Sequence, residues 1–215
     1  MYYPSERLLT KSPQKEYANM NGLTPVNIYK GLGQELDYSF YLSCYSNCLA
    51  LEKAAKVAYD KDYELGYLRV LREVLAEVLP ELSEVDYNAV RGSYFANKGT
   101  VEVDLRNLSK NEKELYFLFS DIAMRLILAN PVEENPLLGK GIVLIDDIEK
   151  NLHPKNQGEV LNKLSKLFPN VQFIVTTNSP LVLGSGKDFN VYEIKNKKES
   201  NIFNLGSLDD SVYRD

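Results

Sequence analysis

Apolar positions change their period several times along the chain, and each change marks an expected element. From about Leu42 to Tyr59, and again from Glu64 to Leu79, the spacing is helical. In the second stretch Leu65, Leu68, Leu75 and Leu79 share a stripe, with Arg69, Arg72, Glu73 and Glu77 off it, and Pro80 ends the helix. Tyr87–Phe95 and Thr100–Leu105 are β-prone runs joined by Asn97-Lys-Gly99, which predicts a hairpin. Leu108-Ser-Lys-Asn-Glu112 then places a Ser three residues ahead of a Glu and before an apolar stretch, a capping box opening a helix over Lys110–Ala129 that Pro131 stops. After a Pro/Gly loop the chain reads strand Ile142–Asp146, helix Lys155–Phe168, strand Val171–Thr176 and a last strand near Asn190–Ile194. Continuous apolar strands alternating with a helix predict an α/β fold built on a buried parallel sheet.

The same pattern divides the chain. Residues 1–42, with Pro4, Pro13, Pro25, Gly22, Gly31 and Gly33, show no sustained period and read as an irregular leader. Residues 43–95 read as a helical subdomain and the start of the hairpin, 96–195 as the α/β core, and 196–215 as a polar surface tail. Twelve of the fifteen tyrosines precede residue 95, and the aliphatic β-like runs lie mostly after it.

Composition narrows the classes. With 215 residues, 44% apolar and 26% charged, the chain is neither collagen-like nor wholly disordered. No apolar run approaches the roughly 18 residues of a membrane span. Met1-Tyr-Tyr-Pro-Ser-Glu-Arg7 lacks a secretory pattern, which points to a cytoplasmic protein with no membrane partner. A net charge of −5 argues against a generally basic, nucleic-acid-coating surface. Cys44 and Cys48 form no Cys-x-x-Cys and read as buried thiols. The single histidine, His153, excludes a His-rich metal site and any Ser–His–Asp triad not built around it.

Chemistry gathers at strand ends. Gly141-Ile-Val-Leu-Ile-Asp-Asp147 puts two carboxylates at the carboxyl end of a buried strand, where open α/β sheets bind ligands. One suits magnesium or its water, and the next can orient an attacking water; a solvated turn is the plainer alternative. Val171–Pro180 also ends in polar residues, so adjacent strands would bring Asn178 near Asp146 and Asp147. The start of the 110–129 helix offers free N–H groups, a dipole end and the Ser109 hydroxyl to an anion, or is simply a cap.

Together, Leu108–Glu112, Val143–Asp147, Leu152-His-Pro154 and Phe168–Pro180 resemble the C-terminal half of an ABC-class ATPase, nearest the AAA-type, RecF/SMC/OLD-like group of DNA-repair and phage-defence modules. The likeness covers residues 100–185 well and the preceding helical stretch loosely. It implies a P-loop NTPase sheet with a helical subdomain, using ATP and Mg2+. Asp146 matches the Walker B aspartate that holds the metal, and Asp147 the place of the general base. Ser109, Asn111 and Glu112 match the signature that contacts ATP held by another subunit. His153 falls at the interface D-loop, and Asn178 replaces the switch histidine.

The departures carry equal weight. Asn111 stands where the signature has glycine, and its side chain is expected to crowd a close backbone approach. Asp147 is one methylene shorter than glutamate, about 1.5 Å, and misplacement on that scale costs on the order of a hundredfold in rate. Asn178 donates a hydrogen bond but carries no proton or charge. Hydrolysis should therefore be impaired. No Gly-x4-Gly-Lys-Ser/Thr loop occurs: Gly139-Lys140 is followed by Gly141 with Glu134 in the first-glycine place, and Gly186-Lys187 by Asp188 with Leu181 there. The resemblance thus implies a half-ATPase whose partner is a Walker A-bearing half or homologous subunit, with DNA a further partner on family grounds alone. The alternatives are a pseudo-ATPase that serves as an interaction module, and a remnant that folds and does little.

Overall fold

The computed structural model describes residues 1–5, 7–8, 36–186, 189–194 and 202–206. Its first half is built from two helices, α1 (Ser39–Ala58) and α2 (Gly66–Val78), as the apolar spacing predicts. Leu68, Leu71 and Val74 on α2 and Phe40, Tyr41, Tyr45 and Cys48 on α1 are buried in one core. Both thiols are buried, and desolvation pushes Cys48 up to about 12, so it packs as a small apolar group. The far end of α1 leaves the core, with Val57 and Tyr59 exposed. Between these helices Glu52 accepts from both Arg72 terminal nitrogens and from the Leu65 amide. Burial alone would raise that carboxyl, but its donors hold it at about 2.

The expected hairpin is a three-stranded antiparallel meander, β4 (Leu82–Asn88), β5 (Ser93–Lys98) and β6 (Val101–Asp104). The single run read across Tyr87–Phe95 is broken by a turn, where the Asn88 side chain accepts from the amides of Val90 and Arg91 and Gly92 adopts φ 60°. Gly99, at φ 61°, makes the second turn as expected. Two tyrosines bolt the meander to α1: Tyr94 donates to the Leu42 carbonyl and Tyr45 to that of Val85.

Helix α3 (Lys110–Ala129) opens on the expected capping box. It is enclosed almost all round, and its buried residues run nearly unbroken from Glu112 to Leu128. Within it Asp121 and Arg125 form a buried ion pair at 2.7 Å, with the Tyr3 hydroxyl donating to the same carboxylate oxygen at 2.8 Å. The Arg125 guanidinium also lies 4.7 Å from the Phe40 ring centroid.

Behind α3 stands a parallel sheet in the order β1 (Tyr2–Tyr3), β7 (Gly141–Ile145), β8 (Val171–Val175). Leu144 and Asp146 donate backbone bonds to Met1 and Tyr3, so the start of the expected irregular leader is an edge strand. Strands β2 (Arg7–Leu8) and β3 (Leu36–Asp37) pair in parallel elsewhere, and the rest of that leader lies outside the described residues. The expected 155–168 helix is two pieces, α4 (Pro154–Gln157) and α5 (Val160–Leu167), parted at Gly158. After α6 (Pro180–Ser185), the last expected strand forms as β9 (Val191–Ile194). It pairs antiparallel with β10 (Ile202–Gly206) in a separate two-stranded sheet, so part of the presumed polar tail is strand.

Side chains alternate across the parallel sheet. Tyr3, Val143 and Ile145 point into the core against α3 and α5, with Phe173 packed on the Phe168 ring. Tyr2, Ile142, Leu144 and Ile174 occupy the other face and are exposed.

Candidate functional site

Register delivers the site. Because β7 and β8 are hydrogen-bonded in parallel from Gly141↔Val171 to Ile145↔Val175, both chains leave the sheet at one edge. There the Thr176 hydroxyl donates to Asp146 Oδ1 at 2.5 Å and accepts from the Asp147 amide at 2.9 Å. One threonine thus ties the two carboxylate-bearing residues to the neighbouring strand. The Ile148 amide, donating to the Thr176 carbonyl, prolongs the contact beyond the strands. Asp147 turns the chain out of the sheet with φ 46°, in the left-handed region that Asp and Asn tolerate better than most residues.

Glu149 supplies a second tie. Its carboxylate accepts from the Thr177 hydroxyl at 2.6 Å and from the Asn178 amide at 2.9 Å. Asn178 is therefore fixed by its backbone beside the acidic loop, and its side chain is exposed. Neither Thr176 nor Glu149 stood out in the sequence. An acidic residue two past the Asp pair, and a Thr at the matching end of the next strand, were the available signals.

At the start of α3, the Ser109 hydroxyl and amide both donate to Glu112 Oε2, at 2.6 and 2.8 Å, and the Glu112 amide donates back to Ser109 Oγ at 3.2 Å. Lys98 reaches the other oxygen of Glu112 at 2.5 Å. Burial raises this carboxyl, yet Lys98 and Ser109 outweigh it and hold its pKa below the ordinary value.

Asn111 is half-buried. Its side-chain oxygen accepts from the His153 amide and from Asn156 Nδ2, both at 2.8 Å. His153 is exposed and caps α4, with the Lys155 amide donating to its Nδ1 at 3.4 Å. One residue beyond Asn156, the Gln157 side-chain oxygen accepts from the Ser179 hydroxyl at 2.7 Å. Ser109, Asn111, Glu112 and His153 thus lie in one hydrogen-bonded region. Asp146, Asp147 and Asn178 lie in another, and α4 bridges the two.

Among the described residues no group of three or more His, Cys, Asp and Glu side chains stands ready to cage a metal. Magnesium in phosphate sites takes one or two protein carboxylates and fills its shell with water and phosphate oxygens. Asp146, with its hydroxyl donor and Asp147 beside it, fits that donor set. No helix among the described residues is long and apolar enough to cross a membrane.

Comparison with known proteins matches residues 17–184 to the family described as "AAA domain, putative AbiEii toxin, Type IV TA system". The chain is 42% identical over 125 residues to the "Retron Vc95 probable ATPase" of Vibrio cholerae serotype O1 biovar El Tor, covering 58% of this chain and 24% of that protein. It is 39% identical over 129 residues to the "Retron Ec83 probable ATPase" of Escherichia coli, covering 60% and 24%. The chain therefore spans about a quarter of the length of these relatives. Among solved structures, an SMC head bound to the C-terminal winged-helix domain of ScpA superposes with a TM-score of 0.50 at 17% identity, over 89% of this chain and 52% of that one. That likeness places the α/β architecture among P-loop NTPase folds.

Proposed function

The chain belongs to this AAA-domain family, and from that premise we propose that it contributes the Walker B and signature elements of a composite ATP site, completed by a segment that carries the phosphate loop. The supporting observation is the strand-end geometry, in which Thr176 binds both Asp146 and the Asp147 amide across the β7–β8 pair.

Asp146 would hold magnesium, directly or through its water, with Thr176 setting the orientation of its carboxylate. A bound ion would supply charge neutralisation for phosphoryl transfer. Asp147, the next residue, orients the attacking water and accepts its proton. Asn178, held by Glu149, donates a hydrogen bond towards the terminal phosphate. Across a subunit boundary the first turn of α3, capped by Ser109 and Glu112, presents amides and a positive dipole end to the nucleotide. His153 stands at that boundary. The assembly is of the DNA-repair or phage-defence type implied by the motif order, and the likeness to two retron ATPases is compatible with it. In a completed assembly Asp146→Ala abolishes magnesium-dependent nucleotide effects, and unchanged activity in that variant refutes the proposal.

A second reading, an impaired ATPase that acts as an interaction module, draws on Asn111. Its side-chain oxygen is engaged within the chain by the His153 amide and Asn156. Turnover by the completed assembly separates the two. Under the first reading it hydrolyses ATP, and Asp147→Glu raises the rate by up to about a hundredfold. Under the second the partners associate without measurable hydrolysis.

A further inference from the structure

The turn that follows β8 is anchored residue by residue. Thr176 is tied to Asp146 and to the Asp147 amide, and Thr177 and the Asn178 amide are tied to Glu149. Ser179 is buried between two exposed neighbours, and its hydroxyl is used in three directions. It accepts from the Leu181 and Val182 amides at 3.2 and 3.4 Å, capping α6, and donates to Gln157 Oε1 at 2.7 Å. The hydroxyls of Thr176, Thr177 and Ser179 are therefore all bonded to other segments. Asn178, among them, is exposed and held through its backbone.

Gln157 has one orientation open to it. Its Nε2 donates to the Leu152 carbonyl at 2.9 Å, and a carbonyl can only accept. Oε1 therefore faces Ser179, whose acceptor positions are taken by two backbone amides, so the serine proton goes to Gln157. The residue before it works in another direction. Asn156 Nδ2 donates to Asn111 Oδ1 at 2.8 Å, at the start of α3. Helix α4 is a short pin, with Asn156 fixed to the first turn of α3 and Gln157 fixed to the turn after β8.

We propose, on the composite-site reading above, that Gln157 is a positioning residue for Asn178, acting through Ser179. Asn178 is bracketed from two sides. Glu149, in the loop after β7, holds its amide and the hydroxyl before it, and Gln157, at the end of α4, holds the residue after it. Glu149 alone leaves the Ser179 side of the turn without an anchor on α4. Because Asn156 and Asn111 fix α4, the aim of the Asn178 side chain depends on the start of α3. A shift of about 1 Å in a group that must meet a phosphate oxygen costs on the order of a hundredfold in rate, so a bond one residue removed has a kinetic consequence.

The test is Gln157→Met, which keeps the side-chain length, loses both bonds and leaves α6 its cap. In the purified chain the Asn178 and Ser179 amides exchange hydrogen about tenfold faster, the factor that one neutral hydrogen bond supports. The Thr176 amide, bonded to the Ile145 carbonyl, is unchanged. In the completed assembly the variant lowers kcat about tenfold and leaves KM for ATP within about twofold. Added to Asn178→Ala it costs nothing further, since a residue that acts through Asn178 has no effect once that side chain is gone. Unchanged exchange at Asn178 overturns the proposal, and so does a double variant whose losses simply add. If exchange quickens but the unsubstituted assembly hydrolyses no ATP, the composite-site reading fails and the positioning of Asn178 stands on the exchange result.

Discussion

Helix α3 and strand β7 are both apolar and central, but they are finished differently. The helix is enclosed by α1, α2 and the sheet, and its buried Asp121 and Arg125 pair with one another inside. The strand is sealed on the Val143 and Ile145 side and bare on the Ile142 and Leu144 side. The signature end of the candidate site therefore rests on a self-sufficient core. The Asp146 end rests on a sheet whose other face, among the described residues, carries the partly exposed Ile142 and Leu144.

The largest test of this contrast is at the buried pair. Asp121→Ala strands the Arg125 guanidinium and removes the Tyr3 acceptor, so chemical denaturation should show a loss of about 3–5 kcal/mol. A pair of substitutions one residue apart sharpens it. Val143→Ala should cost about 2 kcal/mol, from two buried methyl groups and the cavity they leave. Ile142→Ala should stay within about 0.5 kcal/mol while that face is bare. Equal costs would mean both faces are covered.

Acid should attack the helical half and meander first. Glu52 and Asp104 are each held at about 2, Asp104 chiefly by Arg106 and Glu52 by the donors that overcome its burial. Depressed carboxyl values stabilise the fold above their unfolded values. That contribution fades as pH falls from about 4.5 towards 2. A pH series of unfolding midpoints should drop across that window, and the drop should shrink but persist in Asp104→Asn, where Glu52 remains. Smaller again is the cap: Ser109→Ala should cost about 1 kcal/mol and loosen the first turn of α3 in hydrogen exchange. Least in global stability, under about 1 kcal/mol, is Asn111→Ala. Its signature is local, with faster amide exchange at His153 and through α4.

Legibility followed the range of the forces involved. The capping box at Ser109 and Glu112, strands β7 and β8, and the α2 stripe were readable because each is a local pattern of caps, runs and periods. Strand β1 was not, since two tyrosines before a proline carry no period and are strands only because β7 lies beside them. The turn at Asn88–Gly92 was hidden inside a β-prone run. The helix break at Gly158 was passed over because the apolar spacing continues through it. At the site, Asp146 and Asp147 stood out by their position after an apolar run. Thr176 and Glu149 became visible only through the pairing of two strands about thirty residues apart. At Asn111 the departure from glycine is plain in the sequence, whereas its partners, His153 and Asn156, are set by tertiary packing.

The most direct test of the half-site account is calorimetric titration of the purified chain with ATP and magnesium, after its oligomeric state is measured. The account predicts no detectable binding by the chain alone, because Asp146 and its neighbours supply a metal carboxylate but no phosphate cradle. Micromolar binding would contradict it, by showing that a cradle exists within these 215 residues.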